Sequence, residues 1–397
     1  LKEKGKGQKM DPNTFLAAVR LNPYEVIKDI VSRLRQKPRE QFIDIHQEIS
    51  ECRSAFSQAA MYYYQNKGSR LLGGTIPLLI KDSWIPQKAE PIENVKLSFS
   101  KNSTIQPIQS NNLPEKGSYI DNIVKLRYNG KAQEAPYKNN LCYQLNEIGK
   151  GSQFKFSLCN YFDYINTCEY LMYDFIRGMA RAGISKLIKG QYDRGIDPFD
   201  FTNRYCAPGI NTLLLFSDNN KPKMYLHSRS EKVAEGINTK HVVPAGTFQP
   251  IHHDDSYHER DFNFYVNIMR EFGEEFYGDK DLVLPVNEKE DILKRKSIRK
   301  YHYLITQNRA KVFYLGIGLD CLTLKPEILT AIIFKLKDFD ELFGGVNLKP
   351  NNEGIPYAVD LTRDNLKSYS KDITMLPAGA GCMYQTLQFY DDITNSV

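Results

Sequence analysis

The chain has 397 residues, 41% of them hydrophobic and 25% charged, which supports a large core and two or three packed units and excludes collagen, a long coiled coil and wholesale disorder. No apolar run approaches the roughly 18 residues of a membrane span. The 53 Lys and Arg against 47 Asp and Glu leave a net charge of +6, too mild an excess to favour nucleic acid as a partner.

Residues 1–10 have a disordered composition. Tyr24, Ile27, Val31 and Leu34 share one stripe of a helix over 24–36. Pro38 marks a boundary, and Ile45, Ile49, Cys52, Phe56 and Tyr63 step along a second helix, so the two pair as a helical hairpin. From Leu71 the texture changes. Gly73, Gly74, Pro77 and Pro86 punctuate short apolar pieces, and residues 100–118 form a long polar loop. Residues 120–128 and 141–145 have strand character, and Phe154, Phe156 and Leu158 alternate as in a strand. A helix is predicted over 163–182, with Asn166 and Glu169 as its capping box and Gly183 as its stop.

After residue 200 strands and helices alternate. Residues 211–216 and 223–228 read as a hairpin, and 310–318 and 328–336 as two more strands. Pro244-Ala245-Gly246 recurs as Pro377-Ala378-Gly379, as expected of two turns of one type. The order defines an α+β chain in three parts: a helical region over 1–70, a β/α extension over 71–200, and a main domain over 201–397.

Seven cysteines are scattered with no CxxC pair. They read as buried thiols of a reducing, cytoplasmic compartment rather than a disulfide framework or zinc site. Lys2, Lys4, Lys6 and Lys9 form one basic run, and Lys294, Arg295, Lys296, Arg299 and Lys300 a second. Both read as solvated faces.

The segment with the most chemistry is Arg270-Glu271-Phe272-Gly273-Glu274-Glu275. Residues 262–276 form an amphipathic helix, with Phe262, Val266, Met269, Phe272 and Phe276 on its apolar stripe. Glu271, Glu274 and Glu275 fall near the opposite face. Carboxylates this close need a positive partner. Arg270 can pair with Glu274, and a divalent cation such as Mg²⁺ or Mn²⁺ is the other solution. An exposed Glu-rich face is the plain alternative.

This string resembles the second half of the Nudix box, G-x5-E-x7-R-E-U-x-E-E-x-G-U, where U is a bulky apolar residue. The preceding order of strands, Pro-x-Gly turn, loop and helix is similar to the Nudix fold. Outside this core, Trp84-Ile85-Pro86, Tyr161-Phe162-Asp163 and Pro377-Ala378-Gly379 resemble a large bacterial Nudix-like domain often attached to DNA-binding regulators. The resemblance implies a mixed sheet sandwiched between helices. It implies Mg²⁺ or Mn²⁺ on Glu271, Glu274 and Glu275, hydrolysis of a nucleoside-diphosphate-type pyrophosphate, and a nucleotide-type ligand near Gly246, Phe248 and Arg270; the position of Arg229 at a strand end makes it a candidate phosphate contact. Family spacing places Phe262 where the box glutamate belongs. If Gly246 opens the box, about ten residues are inserted, spanning the His- and Asp-rich stretch 250–261. The base is then one of the three helix glutamates, His258 or Glu259. A catalytically inactive module that binds a nucleotide or nucleotide-sugar and regulates a partner is the alternative. Homo-oligomers are compatible with either reading.

Overall fold

The computed structural model describes residues 23–34, 38–101, 105–188, 193–217, 222–229, 239–251, 261–278, 291–335 and 354–397. Helices α1 (Pro23–Arg33) and α2 (Pro38–Asn66) form the expected hairpin. Each opens on a proline, which suits the first helical position because that N–H has no partner within the helix. Ile27, Ile30, Val31 and Leu34 bury with Phe42 and Ile45 in one cluster, and the Gln41 amide donates to the Leu34 carbonyl (2.7 Å) across the turn.

Strands β1 (Leu78–Leu79), β2 (Glu90–Pro91) and β3 (Lys96–Phe99) are short. The next segment is a correction. Residues 120–128 are not a strand: Tyr119–Arg127 is helix α3. The Ser118 hydroxyl accepts from the Asp121 N–H, and the Asp121 carboxylate accepts from the Ser118 N–H (2.9 Å). This reciprocal cap outweighs the strand propensity of Ile and Val, and Ile120, Ile123 and Leu126 bury at helical spacing.

Strands β4 (Leu141–Ile148) and β5 (Gln153–Asn160) are antiparallel, and β3 lies parallel to β5 in a small sheet. The following helix starts earlier than expected: α4 (Tyr161–Tyr164) passes through a π-helical turn (Ile165–Glu169) into α5 (Tyr170–Ala182). Its cap is Asp163, which accepts from the Asn160 N–H (2.9 Å). The expected capping pair is used elsewhere. The Asn166 side chain accepts from the Ile120 N–H (2.9 Å), and Glu169 accepts from the Tyr164 hydroxyl (2.6 Å). Gly183, at φ 84°, ends α5 as expected; a short α6 (Ile184–Ile188) follows.

The remaining elements build the main sheet. They are β6 (Gly209–Ser217), β7 (Lys223–Arg229), β8 (Lys240–Val242), β9 (Ala245–Thr247), α7 (Phe264–Tyr277), α8 (Lys296–Thr306), β10 (Ala310–Asp320), β11 (Pro326–Lys335), β12 (Gly354–Asp360), α9 (Arg363–Ser370), α10 (Pro377–Gln388) and α11 (Tyr390–Thr394). The curled sheet runs β1-β10-β11-β6-β7-β12, with β2 beside β10, β8 beside β7 and β9 beside β6. The pair β6–β11 is parallel and the other pairs are antiparallel.

Strand β6 is buried on both faces, so it reads as a continuous apolar run. Ile210, Leu214 and Phe216 join Phe264, Ile268, Phe272 and Phe276 of α7 in one cluster. Leu213 and Leu215 join Ala378, Ala380 and Met383 of α10 in another. The mixed sheet is thus sandwiched between helices. The first cluster also takes in α1, α2 and α5. No helix among the described residues is long and apolar enough to cross a membrane.

His46 of α2 is buried. Its Nδ1 lies 2.8 Å from the Phe42 carbonyl and its Nε2 2.9 Å from the Tyr119 hydroxyl, so the neutral ring donates from Nδ1 and accepts at Nε2. Burial holds its pKa far below the ordinary histidine value, at about 3. The unfolded chain therefore binds a proton that the native chain refuses. This contribution is present above about pH 6.5 and is lost as pH falls towards the folded value. Urea midpoints of wild type and His46→Gln between pH 7 and pH 4 check this. The wild-type midpoint should fall more steeply, and parallel curves would contradict it.

Candidate functional site

Helix α7 begins at Phe264 rather than Phe262. Asn263 caps it through Oδ1, which accepts from the Tyr265 N–H (2.8 Å), and Gly278 ends it at φ 66°. Its polar side is not a solvated face. Asn267, Arg270, Glu271 and Glu275 are all at most 8% exposed, because the helix packs against β6 and β9.

Arg270 organises this interface. Its Nη1 reaches both carboxylate oxygens of Glu274 (3.2 and 3.3 Å). Its Nη2 donates to Glu271, to the Thr247 carbonyl (3.1 Å) and to Asn267 Oδ1 (3.2 Å). Burial works against the charge, but Glu271 and Glu274 outweigh it and raise the guanidinium pKa above its usual value. Glu275 turns away, and its Oε1 accepts from the Ala245 N–H (3.4 Å). The three glutamates are therefore divided: Glu271 and Glu274 pair with Arg270, and Glu275 serves the β9 backbone.

Gly246 sits beneath Glu271, and a Cβ there would collide with the carboxylate. Glycine at this position is a matter of close approach rather than of φ.

Glu271, Glu274 and Arg270 line a half-open cleft of about 450 Å³. It lies at the starting ends of the parallel strands β6 and β11. Gly209 and Asn211 of β6, His241 of β8, and Asp320, Lys325 and Glu327 around the β10–β11 turn line the same space. Lys138, Tyr161 and Tyr164 close one side, and Leu376, Pro377 and Ala378 bring in the start of α10. A larger cavity of about 870 Å³ borders β2, β3 and β10, but among the described residues Glu93 and Lys311 are the only charged ones in its lining. The chemistry points to the smaller cleft.

The two Pro-Ala-Gly segments are not one turn type. Ala245-Gly246 lies in β9, whereas Pro377-Ala378-Gly379 is the first turn of α10. Both border the cleft. Helix α10 is held there through β8: the Lys240 N–H donates to the Thr374 carbonyl (2.7 Å), the Lys240 carbonyl accepts from the Leu376 N–H (2.9 Å), and Lys240 Nζ pairs with Asp372 (2.7 Å).

Phe248 is fully buried against Tyr143, Phe156, Phe262 and Phe264, with ring centroids 4.3 to 5.8 Å away. Arg229 ends β7 with its backbone opposite Gly354; its side chain lies outside the described residues, as do His258 and Glu259. The ends of the inserted stretch are tied together, since the Asp261 carboxylate accepts from the Ile251 N–H (2.9 Å). The sequence reading missed Asn211, His241, Lys325, Glu327 and Lys138. An isolated Asn in an apolar strand and a Glu opening another were the available signals, since buried polar groups require partners.

Among the described residues, no three His, Cys, Asp or Glu side chains converge to hold a metal ion. Arg270 engages the two cleft glutamates of α7, so this carboxylate arrangement does not fit a ready cation cage. No protein-family model matches the chain, and no curated protein matches it.

Gly246→Ala should shift Glu271 and lower stability. In that background Glu271→Ala should cost less than it does alone, because the collision is gone. The four urea midpoints of the cycle should give a coupling of about 0.5–3 kcal/mol, and additive effects would contradict the close approach.

Proposed function

We propose that the chain is a Nudix-like protein whose cleft binds a nucleoside-diphosphate-type small molecule. The observation that carries this reading is the gathering of the Arg-Glu pair of α7, Lys138, Lys325 and the start of α10 around one cleft of nucleotide size. Two lysines and the positive end of a helix suit a pyrophosphate. The Tyr161 ring offers a face for a base. Arg270 keeps Glu271 and Glu274 oriented and ties α7 to β9.

Hydrolysis of the bound pyrophosphate is a second reading, favoured by the presence of Glu271 and Glu274 in the cleft lining. The bond between the bridging oxygen and phosphorus would break as water adds, and a cleft carboxylate would take the water proton. As the carboxylates stand, no step is assigned to Mg²⁺ or Mn²⁺.

Calorimetric titration with ADP, ADP-ribose and UDP-glucose, with and without Mg²⁺ or Mn²⁺, tests both readings when phosphate and nucleotide release are followed in parallel. Binding should persist without metal and weaken about tenfold in Lys325→Ala. Turnover that requires metal and is lost in Glu274→Gln would establish the hydrolase. Absence of both binding and turnover for all three compounds would overturn the nucleotide reading.

A further inference from the structure

The mild positive charge of the chain is unevenly placed. From Ile292 to Leu319 the sequence has seven Lys and Arg and no Asp or Glu. That local excess is larger than the +6 of the whole chain, so the remaining residues are together slightly acidic. Much of this stretch is helix α8 and the start of β10. Ile298, Tyr301 and Leu304 bury, and Tyr301 packs on Phe272 of α7 with ring centroids 4.1 Å apart. These core contacts fix which side of α8 faces outward. That side carries Lys296, Arg299, Lys300 and Tyr303, all exposed, within an arc of about 100° at helical spacing. Lys294 is exposed just before the helix. Exposed Lys335 lies beyond its other end, where the Lys335 N–H donates to the Arg309 carbonyl (3.2 Å). Two features of this surface are unfavourable in the chain alone. Lys296 and Lys300 are four residues apart, as are Arg295 and Arg299, and like charges at that spacing repel across one turn. Tyr303 is 59% exposed, one of two exposed large apolar side chains among the described residues.

We propose that the outward side of α8 binds single-stranded nucleic acid, with its cations on the phosphates and Tyr303 stacked on a base. Cations spaced along one side of a helix attract a polyanion by releasing its condensed counterions. An exposed ring among them is a stacking surface that any unpaired base can use. A duplex keeps its bases inside and cannot use the ring, and an acidic protein segment matches the charge alone. The apolar side of α8 is committed to the core, so the helix has none to lay into a membrane. Lys296, Arg299, Lys300 and Tyr303 do not line the cleft, so this surface is independent of the ligand proposed there.

Fluorescence anisotropy of the full chain with labelled oligothymidylate and oligouridylate tests this. Both strands should bind, because phosphate contacts and stacking read neither sugar. Affinity should fall at least about tenfold between roughly 50 and 200 mM salt. The triple variant Lys296→Ala, Arg299→Ala, Lys300→Ala should weaken binding at least about tenfold and flatten that salt dependence. Tyr303→Ala should weaken it about fivefold or more, and Tyr303→Phe should not. Circular dichroism checks the folding of each variant. Lys325→Ala should leave binding unchanged; a loss there would place the strand in the cleft and overturn the assignment to α8. No binding at the lower salt, undiminished affinity in the triple variant, or displacement by polyglutamate as readily as by unlabelled strand would also overturn it. So would equal affinity for a duplex of the same length, or full affinity in Tyr303→Ala.

Discussion

A guanidinium buried between two carboxylates ties α7 to the sheet. Arg270 is 3% exposed and reaches Glu271, Glu274, Asn267 and the Thr247 carbonyl. Removing one partner of such a network leaves a buried charge uncompensated, at a cost of about 3–5 kcal/mol. The apolar stripe of α7 fixes which side of the helix faces the core. The Arg270 contacts fix how far along the helix β9 sits, because hydrogen bonds are directional and hydrophobic burial is not. The cleft inherits its geometry from that register.

The parts of the sequence that revealed the fold are those governed by local periodicity. The helical hairpin, the strands around β6 and β7, and the Gly183 stop follow from spacing and turn chemistry alone. The errors arose where a side chain had two available partners. Asn166 and Glu169 have capping spacing, yet both bond to other elements. Ile120 to Arg127 is rich in strand formers, yet the Ser118–Asp121 cap and the burial of every third or so residue make a helix. The REFGEE helix was legible as amphipathic, but its polar side was not legible as buried. That burial depends on β9, whose approach is a tertiary contact permitted by Gly246. The Glu327–Asn211–His241 chain was hidden for the same reason: its members lie 116 and 30 residues apart and meet only when β6, β8 and β11 align.

Strand alternation explains why one cleft carries two separate carboxylate groups. Successive side chains of a strand point to opposite faces. Ile210 and its partner Gly246 face α7, so Gly246 receives Glu271. Gly209 and Asn211 face the α10 side, with Glu327 beside Gly209 in the parallel register. The cleft lies at the end of these strands and is open to both faces. Glu271 and Glu327 each rest on a glycine, and those glycines are on neighbouring strands one register step apart.

This division bears on what a ligand could meet there. The α7 carboxylates Glu271 and Glu274 share one buried guanidinium, which offsets one of their two negative charges. Glu327 is held by a neutral amide on one oxygen and has a lysine ammonium 3.8 Å from the other. The two carboxylate walls of the cleft are therefore held by different partners, a guanidinium on the α7 side and an amide with a lysine on the β11 side. On the proposed nucleotide reading, the anion of the ligand is drawn to Lys138, Lys325 and the start of α10.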